Sequence, residues 1–374
     1  MKIIVLGALP SSLFNFRGCL LVKLVERAKV VTAMASGASL QEVSSVENLG
    51  CKYVDYPVLR NGLNPFKDIS TFFRLAREFR KLKPEVVLAY TIKPVIWGGL
   101  ASRFSTKTSF YALVTGLGYA FQPGGSFKSV LIWIVRNLYK IALKSSEGVI
   151  FQNPDNMQVF IEQGIVPSGK CHLVNGSGVD LSHFANEPLP QDPRFLLIAR
   201  LLGDKGIREY AKAAELVKAK YPNATFDLVG PEDPSPDGID IYEISKLNDK
   251  GVLNYHGATS DVRPYIQDCS IFVLPSYHEG MPRTVLEAMA MGRPILTTDV
   301  PGCRETVVNG KNGWLVEKAN VEQLAERMIW FIENQEQWPV MGEKSHIMAN
   351  EKFDVHKVNA EILKIMGLSD EKTV

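Results

Sequence analysis

No stretch of this chain reaches the roughly 18 uninterrupted apolar residues that a bilayer-spanning helix needs, so no membrane span is expected. Cysteine is scarce: five in 374 residues (Cys19, Cys51, Cys171, Cys269 and Cys303), odd in number, scattered, and without a C-x-x-C pair. That usage argues against a disulfide framework or a zinc site and suits buried thiols in a reducing compartment. The six histidines do not cluster and no H-E-x-x-H occurs, so neither a metal nor any other cofactor is expected. The phosphate loop G-x-x-x-x-G-K-[ST] is absent, and no G-x-G-x-x-G follows the first apolar run, which removes the main support for nucleoside-triphosphatase and dehydrogenase chemistry. Gly116 and Gly118 form only a G-x-G after the fifth expected strand. The opening MKIIVLGALP has too short an apolar run and too little positive flank for a secretory signal and reads as a first strand, which makes the cytoplasm the expected location.

Acid is missing from one region. Between Glu85 and Glu147 there is none, while Lys93, Arg103, Lys107, Lys128, Arg136, Lys140 and Lys144 fall there. Residues 1–180 carry 21 Lys and Arg against 11 Asp and Glu, whereas the remainder carries 21 against 29, so the small net charge of +2 hides a basic and an acidic half. A basic half suits an anionic partner such as a membrane surface, a phosphate-bearing substrate or nucleic acid; charge complementarity with the acidic half is the plainer reading.

What is present is an ordinary globular composition, 46% apolar and 22% charged, on a chain long enough for two domains. In the first half short strand-like runs (Lys2–Gly7, Lys29–Ala35, Cys51–Tyr56, Glu85–Tyr90, Thr108–Val114, Gly148–Gln152, Lys170–Asn175) alternate with amphipathic segments, clearest at Asp68–Leu82, Val95–Arg103, Ser126–Ser145 and Asp155–Gln163. A linker rich in Pro, Asn and acid runs from Val179 to Pro193. The second half repeats the scheme, with strands expected at Arg194–Ala199, Thr225–Gly230, Val252–His256, Ser270–Leu274, Pro294–Thr297 and Gly313–Val316. Its helices are expected at Ile207–Lys220, Ile241–Asn248, Val262–Gln267, Arg283–Met291 and Val321–Glu333. Alternation of this kind means βαβ units and parallel sheets covered on both faces. The expected fold is α/β, two doubly wound Rossmann-like domains facing across a cleft: residues 1–180, residues 181–354, and a last helix within 355–374 that returns to the first domain.

Two basic stretches of the first half invite a surface partner. Ser126–Ser145 has a broad apolar face with Trp133 and Tyr139 and only basic charges, which fits an interfacial helix on anionic lipid and equally a helix covering the sheet. Phe66–Lys83 mixes Phe72, Phe73 and Phe79 with Arg74, Arg77, Arg80, Lys81 and Lys83; no recognition motif for nucleic acid accompanies it, so an anionic membrane surface is the expected partner and nucleic acid is not.

The chemistry concentrates in Leu274–Glu305, LPSYHEGMPRTVLEAMAMGRPILTTDVPGCRE. A strand ends there, a loop presents Glu279 beside Gly280, and a helix opens near Pro282 and carries Glu287, the order found at the carboxyl edge of a parallel sheet. The two carboxylates of E-x7-E would address different parts of one elongated ligand, with a helix N-terminus favouring an anion between them. Alone they also read as a turn charge and a solvated helix residue. Arg200 and Lys205, in ARLLGDKG, follow the first strand of the same half and could clamp a diphosphate, Arg by a fork of donors and Lys as a point charge. Together these residues specify a nucleotide diphosphate bearing a sugar.

The set formed by R-x4-K, HGATSDV (His256–Val262), LPSYHEGMPRTVLEAMAMGRPILTT and the segment with Glu305, Asn309, Gly310, Asn312 and Gly313 resembles glycosyltransferase family 4. In the first half FNFRGCL (Phe14–Leu20), YTIKPVIWGGLASR (Tyr90–Arg103) and TGLGYAF (Thr115–Phe121) resemble its bacterial branch that extends sugars on polyprenyl-diphosphate carriers, N-acetylgalactosaminyltransferases among them. The resemblance implies a retaining, metal-independent enzyme of the GT-B fold, taking a UDP-sugar donor and a polyprenyl-diphosphate-linked sugar acceptor for bacterial surface or protein glycans. Its place would be peripheral on the inner face of the cytoplasmic membrane.

By the same resemblance Arg200 and Lys205 would bind the donor diphosphate, and Glu279 the donor-sugar hydroxyls beside the backbone of Gly280 and Met281. Glu287 would hold the ribose hydroxyls, Thr284 would add a phosphate hydrogen bond, and the Gly7 loop would approach from the other domain. Arg17 and Lys93 are acceptor-phosphate candidates. Thr115 stands where many relatives carry a histidine near the donor sugar. The implied mechanism is front-face transfer, with Arg200 and Lys205 stabilising the leaving diphosphate and its oxygen taking the acceptor's proton. Two alternatives share the fold: a UDP-sugar 2-epimerase, which leaves the basic first half unexplained, and a catalytically silent membrane-associated partner, against which the intact Arg200, Lys205, Glu279 and Glu287 speak.

Overall fold

The computed structural model describes residues 1–59, 65–105, 107–117 and 126–369, of which 65–66 and 126–128 are described by backbone alone. The chain forms two compact units: Met1–Ser177 together with Val358–Val374, and Gly178–Lys357.

Among the described residues the first unit has a seven-stranded parallel sheet. Its strands are β1 (Lys2–Leu6), β2 (Val30–Ala35), β3 (Lys52–Asp55), β4 (Val86–Tyr90), β5 (Ser109–Val114), β6 (Gly148–Phe151) and β7 (Cys171–Leu173), in the order β3-β2-β1-β4-β5-β6-β7. Period-two alternation decides what each strand buries: Ile4 and Leu6 enter one core and Ile3 and Val5 the other, so both sheet faces are covered. The connections carry α1 (Pro10–Asn15), α2 (Gly18–Arg27), α3 (Leu40–Glu47), α4 (Pro65–Leu82), α5 (Ile92–Ser102), α6 (Ser126–Leu143) and α7 (Pro154–Glu162). Helix α3 opens on a capping box in which Ser39 Oγ accepts from the Glu42 amide while the Glu42 carboxylate accepts from the Ser39 amide.

The second unit repeats the plan with β8 (Arg194–Ile198), β9 (Thr225–Val229), β10 (Asn254–Tyr255), β11 (Ile271–Leu274), β12 (Ile295–Thr298) and β13 (Gly313–Val316), in the order β10-β9-β8-β11-β12-β13. Ile271 and Val273 face one core, Phe272 and Leu274 the other. Its helices are α8 (Ile207–Lys220), α9 (Ile241–Asp249), α10 (Arg263–Gln267), α11 (Arg283–Ala290), α12 (Val321–Glu333) and α13 (Trp338–Phe353). The sixteen-residue α13 lies in a stretch for which no helix was expected, and β10 is two residues where five were expected. The last helix, α14 (Val355–Ile365), places Val358, Ile362 and Leu363 in the first unit's core beside Ile3, Val5 and Leu24. No helix among the described residues is long and apolar enough to cross a membrane.

Each sheet reverses its winding direction once, between β1 and β4 in the first unit and between β8 and β11 in the second. Open α/β sheets bind ligands outside the carboxyl ends of the strands at such points.

Candidate active site

At the second unit's switch point the loop after β8 closes onto the loop after β11. Gly206 makes this possible: it sits at φ +71°, and a Cβ there would lie 2.1 Å from the Pro275 carbonyl oxygen. The Asp204 carbonyl then accepts from the Tyr277 amide at 2.8 Å and from Ser276 Oγ at 3.2 Å. A second loop holds the far side, where the Glu279 amide donates to the Pro301 carbonyl at 3.1 Å. Beside it Gly302 is at φ +85°, and an added Cβ would stand 2.6 Å from the Glu279 carbonyl oxygen.

The consequence is an ion pair, Lys205 Nζ to Glu279 Oε1 at 2.6 Å, with both side chains mostly buried. Burial alone would lower the Lys205 pKa, but the Glu279 carboxylate outweighs it and the net direction is upward, so Lys205 stays a cation. Next to the pair, His278 Nδ1 lies 3.6 Å from Asp204 Oδ2. Burial pushes the Asp204 carboxyl up and the His278 imidazole down, and it drives the Cys303 thiol to about 12, which leaves that cysteine inert.

Arg200 also points at a carboxylate. Its Nη1 donates to Asp233 Oδ2, in the loop between β9 and α9, and that carboxylate is fixed in turn by the Ser235 amide at 3.0 Å. Asp233 lies in the run PEDPSPDG, between the expected strand Thr225–Gly230 and the expected helix Ile241–Asn248, where no site residue was expected.

Helix α11 begins at Arg283, the expected residue, and ends one residue short of the expected Met291. Pro282 is its N-cap, with an extended ψ of 106°, and its carbonyl accepts from the amides of Val285 and Leu286. Thr284 Oγ1 donates to the Ile198 carbonyl at 3.2 Å, tying α11 to the end of β8. A hydroxyl has one proton, so as placed Thr284 can accept from a ligand but not donate to a phosphate. Glu287 is buried rather than solvated, and its Oε1 accepts from Arg283 Nε at 2.8 Å. Burial raises its pKa to about 7, with Arg283 opposing in part. Gly280 and Met281 are half-buried in the loop between the glutamates, Met281 packing on the core beneath α11.

Other residues of the family-like segments have structural work. His256 Nε2 lies 2.7 Å from Asp227 Oδ1, an aspartate that also takes Arg194 Nε at 2.9 Å. Asn312 accepts from the Val308 amide at 2.8 Å and donates to the Thr306 carbonyl at 2.9 Å, while Asn309 Oδ1 accepts from the Leu315 amide at 2.7 Å.

At the first unit's switch point the carboxyl end of β1 carries Gly7 and that of β4 carries Tyr90. An added Cβ on Gly7 would lie 2.3 Å from the Tyr90 hydroxyl, so glycine is required by packing. Ser12 Oγ, whose proton goes to the Leu9 carbonyl at 2.6 Å, meets that hydroxyl at 2.7 Å. Burial pushes Tyr90 up to about 12, the Ser12 contact and Arg17 opposing. The buried Arg17 guanidinium lies over the Tyr90 ring, 5.4 Å from its centroid. The next residue, Thr91, is a β-branched side chain at φ +68°, ψ 162°, backbone space almost reserved for glycine. Its Oγ1 is buried and meets no hydrogen-bond partner among the described residues. Sequence reasoning passed over Thr91, because strain has no signature in composition.

Lys93, in the first turn of α5, donates to Asp68 Oδ1 at 2.8 Å. Thr115 follows β5 and is half-buried. The motif containing it is described only through Leu117, so Gly118 and the residues to Phe121 lie outside the described residues. The structure thus joins Lys205 to Glu279 and Arg17 to the Gly7–Tyr90 corner, and it sets Arg200 and Lys93 against the carboxylates of Asp233 and Asp68. Among the described residues no group of three or more His, Cys, Asp or Glu could hold a metal ion.

Comparison with known proteins matches residues 180–350 to the family described as glycosyl transferases group 1, and residues 28–153 to the family described as glycosyl transferase 4-like. Among curated proteins the chain is 29% identical over 349 residues, 90% of each chain, to N,N'-diacetylbacillosaminyl-diphospho-undecaprenol alpha-1,3-N-acetylgalactosaminyltransferase of Campylobacter jejuni. It is 25% identical over 287 residues, 73% of each chain, to UDP-Gal:alpha-D-GlcNAc-diphosphoundecaprenol alpha-1,3-galactosyltransferase of Escherichia coli. Among solved structures, HepE of Anabaena in complex with UDP aligns with a TM-score of 0.78 at 16% identity, covering 98% of this chain and 100% of that one. Sucrose-phosphate synthase of Thermosynechococcus elongatus aligns at 0.79 with 17% identity, covering 98% of each chain. These likenesses establish the fold.

Proposed function

Because the chain belongs to the glycosyltransferases of group 1 and family 4, we propose that it moves a hexose or N-acetylhexosamine from a UDP-sugar to a saccharide on a polyprenyl diphosphate, with retention of configuration. The observation that carries this is the 2.6 Å contact of Lys205 with Glu279 at the switch point of the second sheet, with Arg200 on the same loop. A cation beside a carboxylate supplies what a sugar diphosphate asks for: positive charge where the phosphate leaves and an acceptor for sugar hydroxyls. The relatives act on undecaprenyl-diphosphate sugars, which supports the acceptor class.

In this reading the acceptor hydroxyl attacks the donor's anomeric carbon on the face from which UDP departs. The new C–O bond forms as the bond to the β-phosphate oxygen breaks, and the hydroxyl proton passes to that departing oxygen. Lys205 and Arg200 stabilise the charge that grows there. To reach the phosphate, Arg200 exchanges Asp233 for it, and Lys205 shares its donors between Glu279 and the phosphate. Glu279 holds the sugar hydroxyls, Gly280 and Met281 border the sugar, Thr284 accepts from the ligand, and Glu287 takes the ribose. Gly7, Arg17, Lys93 and Thr115, in the first unit, serve the acceptor and the donor diphosphate. The site of action is the inner face of the cytoplasmic membrane.

The test is a donor screen, UDP-N-acetylgalactosamine first, against a synthetic polyprenyl-diphosphate sugar, read by mass. A product heavier by one sugar is expected. Lys205→Ala should lower kcat by roughly 10²–10³, the scale of losing one transition-state charge contact. Epimerised UDP-sugar without acceptor, or unchanged transfer in Glu279→Ala, overturns the reading.

A further inference from the structure

Helices α4, α5 and α6 lie side by side over one face of the first unit's sheet, their inner residues (Leu75, Val95, Val135 and Tyr139 among them) in a single core. Their outer faces are unlike a solvated surface. On α4, Ile69 and Phe73 are exposed, the latter 65%; on α6, Val130, Trp133 and Ile134 are exposed, Trp133 also 65%. The spacings i, i+4 and i, i+3, i+4 put each set on one stripe. One turn or more further along the same helices exposed cations predominate, Arg77 and Lys81 on α4 and Lys140 and Lys144 on and just after α6, with Ile141, 50% exposed, lying among them. Acid is turned away from this face. The acids of α4 are Asp68, half-buried against Lys93, and Glu78, buried against Arg74; α6 has none.

The direction of the pattern is informative. Each helix follows a strand of a parallel sheet and runs back against it, so its N-terminal half lies toward the carboxyl edge. Most of the exposed apolar residues of these two helices, Ile141 excepted, therefore gather toward the edge that carries Gly7, Arg17 and Thr115, and most of their exposed cations lie behind them. We propose that this face docks on an anionic lipid bilayer, with Phe73, Val130, Trp133 and Ile134 entering the headgroup–acyl boundary and Arg77, Lys81, Lys140 and Lys144 facing the lipid phosphates. Apolar tips backed by cations, with no acid among them, match that surface chemically. The inference deepens the functional reading by giving a route to the acceptor: a polyprenyl diphosphate held in the same bilayer presents its headgroup at the edge where the site residues of this unit stand.

Trp133 makes the test direct, because it is the one tryptophan of the five that is exposed. The full chain is mixed with vesicles of phosphatidylglycerol and phosphatidylcholine, with and without brominated acyl chains, in the absence of donor and acceptor. Binding should require phosphatidylglycerol, weaken with salt, and let bromine quench a fluorescence component that Trp133→Phe removes. The double variant Trp133→Ser, Ile134→Ser should bind about tenfold more weakly or worse while keeping the circular dichroism of the parent. Lys140→Glu with Lys144→Glu should lose the dependence on anionic lipid. On a short water-soluble acceptor the Trp133→Ser, Ile134→Ser variant should match the parent, and on acceptor embedded in vesicles it should fall. Equal binding to neutral vesicles, absence of quenching, or a dimer that this variant dissolves would overturn the proposal, the last assigning the face to a second copy. Vesicle binding is measured without turnover, so its failure is distinct from failure of the transferase reading.

Discussion

Glu287 illustrates how far a residue type is from a residue state. A carboxylate on a helix is ordinarily solvated, yet here it is buried against a single guanidinium and titrates near 7. Since its folded pKa is raised above the ordinary 4.5, its stabilising contribution is complete below about 4.5 and is lost as pH rises through about 7. The interval corresponds to about 3 kcal/mol. In Glu287→Gln the group no longer titrates, so the parent's Tm should fall relative to the variant's between pH 4.5 and 7; a constant offset across that range would show that burial does not govern this group. E-x7-E was legible as a pair of carboxylates, but neither the Arg283 contact nor the Asp233 carboxylate opposite Arg200 was. Both depend on which loops fold onto each other, and spacing along the chain does not carry that information.

At the scale of elements, the strands were legible because strands covered on both faces read as short unbroken apolar runs, as in Ile3 to Leu6 and Phe195 to Ile198. Helix α13 was not, because its inward stripe is Trp338, Met341, Gly342, Ser345, Met348, Ala349 and Phe353, in which small and polar residues break the apolar contrast. They are there for fit: Gly342 lies against the Gly292 carbonyl at the end of α11, and Ser345 Oγ donates to the Asn312 carbonyl at 3.3 Å. Helix α3 was legible in principle through the capping box at Ser39 and Glu42. Loops carry the tightest constraints. Gly302→Ala would place a methyl 2.6 Å from the Glu279 carbonyl oxygen at a left-handed φ, a strain of about 1–2 kcal/mol before any displacement. Shifting Glu279 by a fraction of an ångström should lower kcat with UDP-sugar roughly tenfold or more, while Tm drops by only a few degrees. Equal, proportionate losses in folding and turnover would mean the loop matters for stability alone.

At the scale of the molecule, two sheets with the same winding each bring their site residues to one edge, and each is buried on both faces. The division into a basic and an acidic half follows these two cores closely, residues 1–177 forming the bulk of one and 178–357 the other. The exception is the last helix, which crosses back in sequence: Ile362, fully buried, packs among Ile3, Val5 and Leu24. Separate cores should respond separately. Truncating Ile362 to Ala removes buried methyl groups and leaves a cavity, at a cost of about 2–5 kcal/mol to whichever core holds it. Hydrogen exchange on the variant should therefore speed at the amides of β1 and β2 and leave those of β8 and β11 near their parental rates. Uniform acceleration in both sheets would show instead that the chain unfolds as one cooperative body, and that the C-terminal helix is a fastener for the whole molecule and not for the first core.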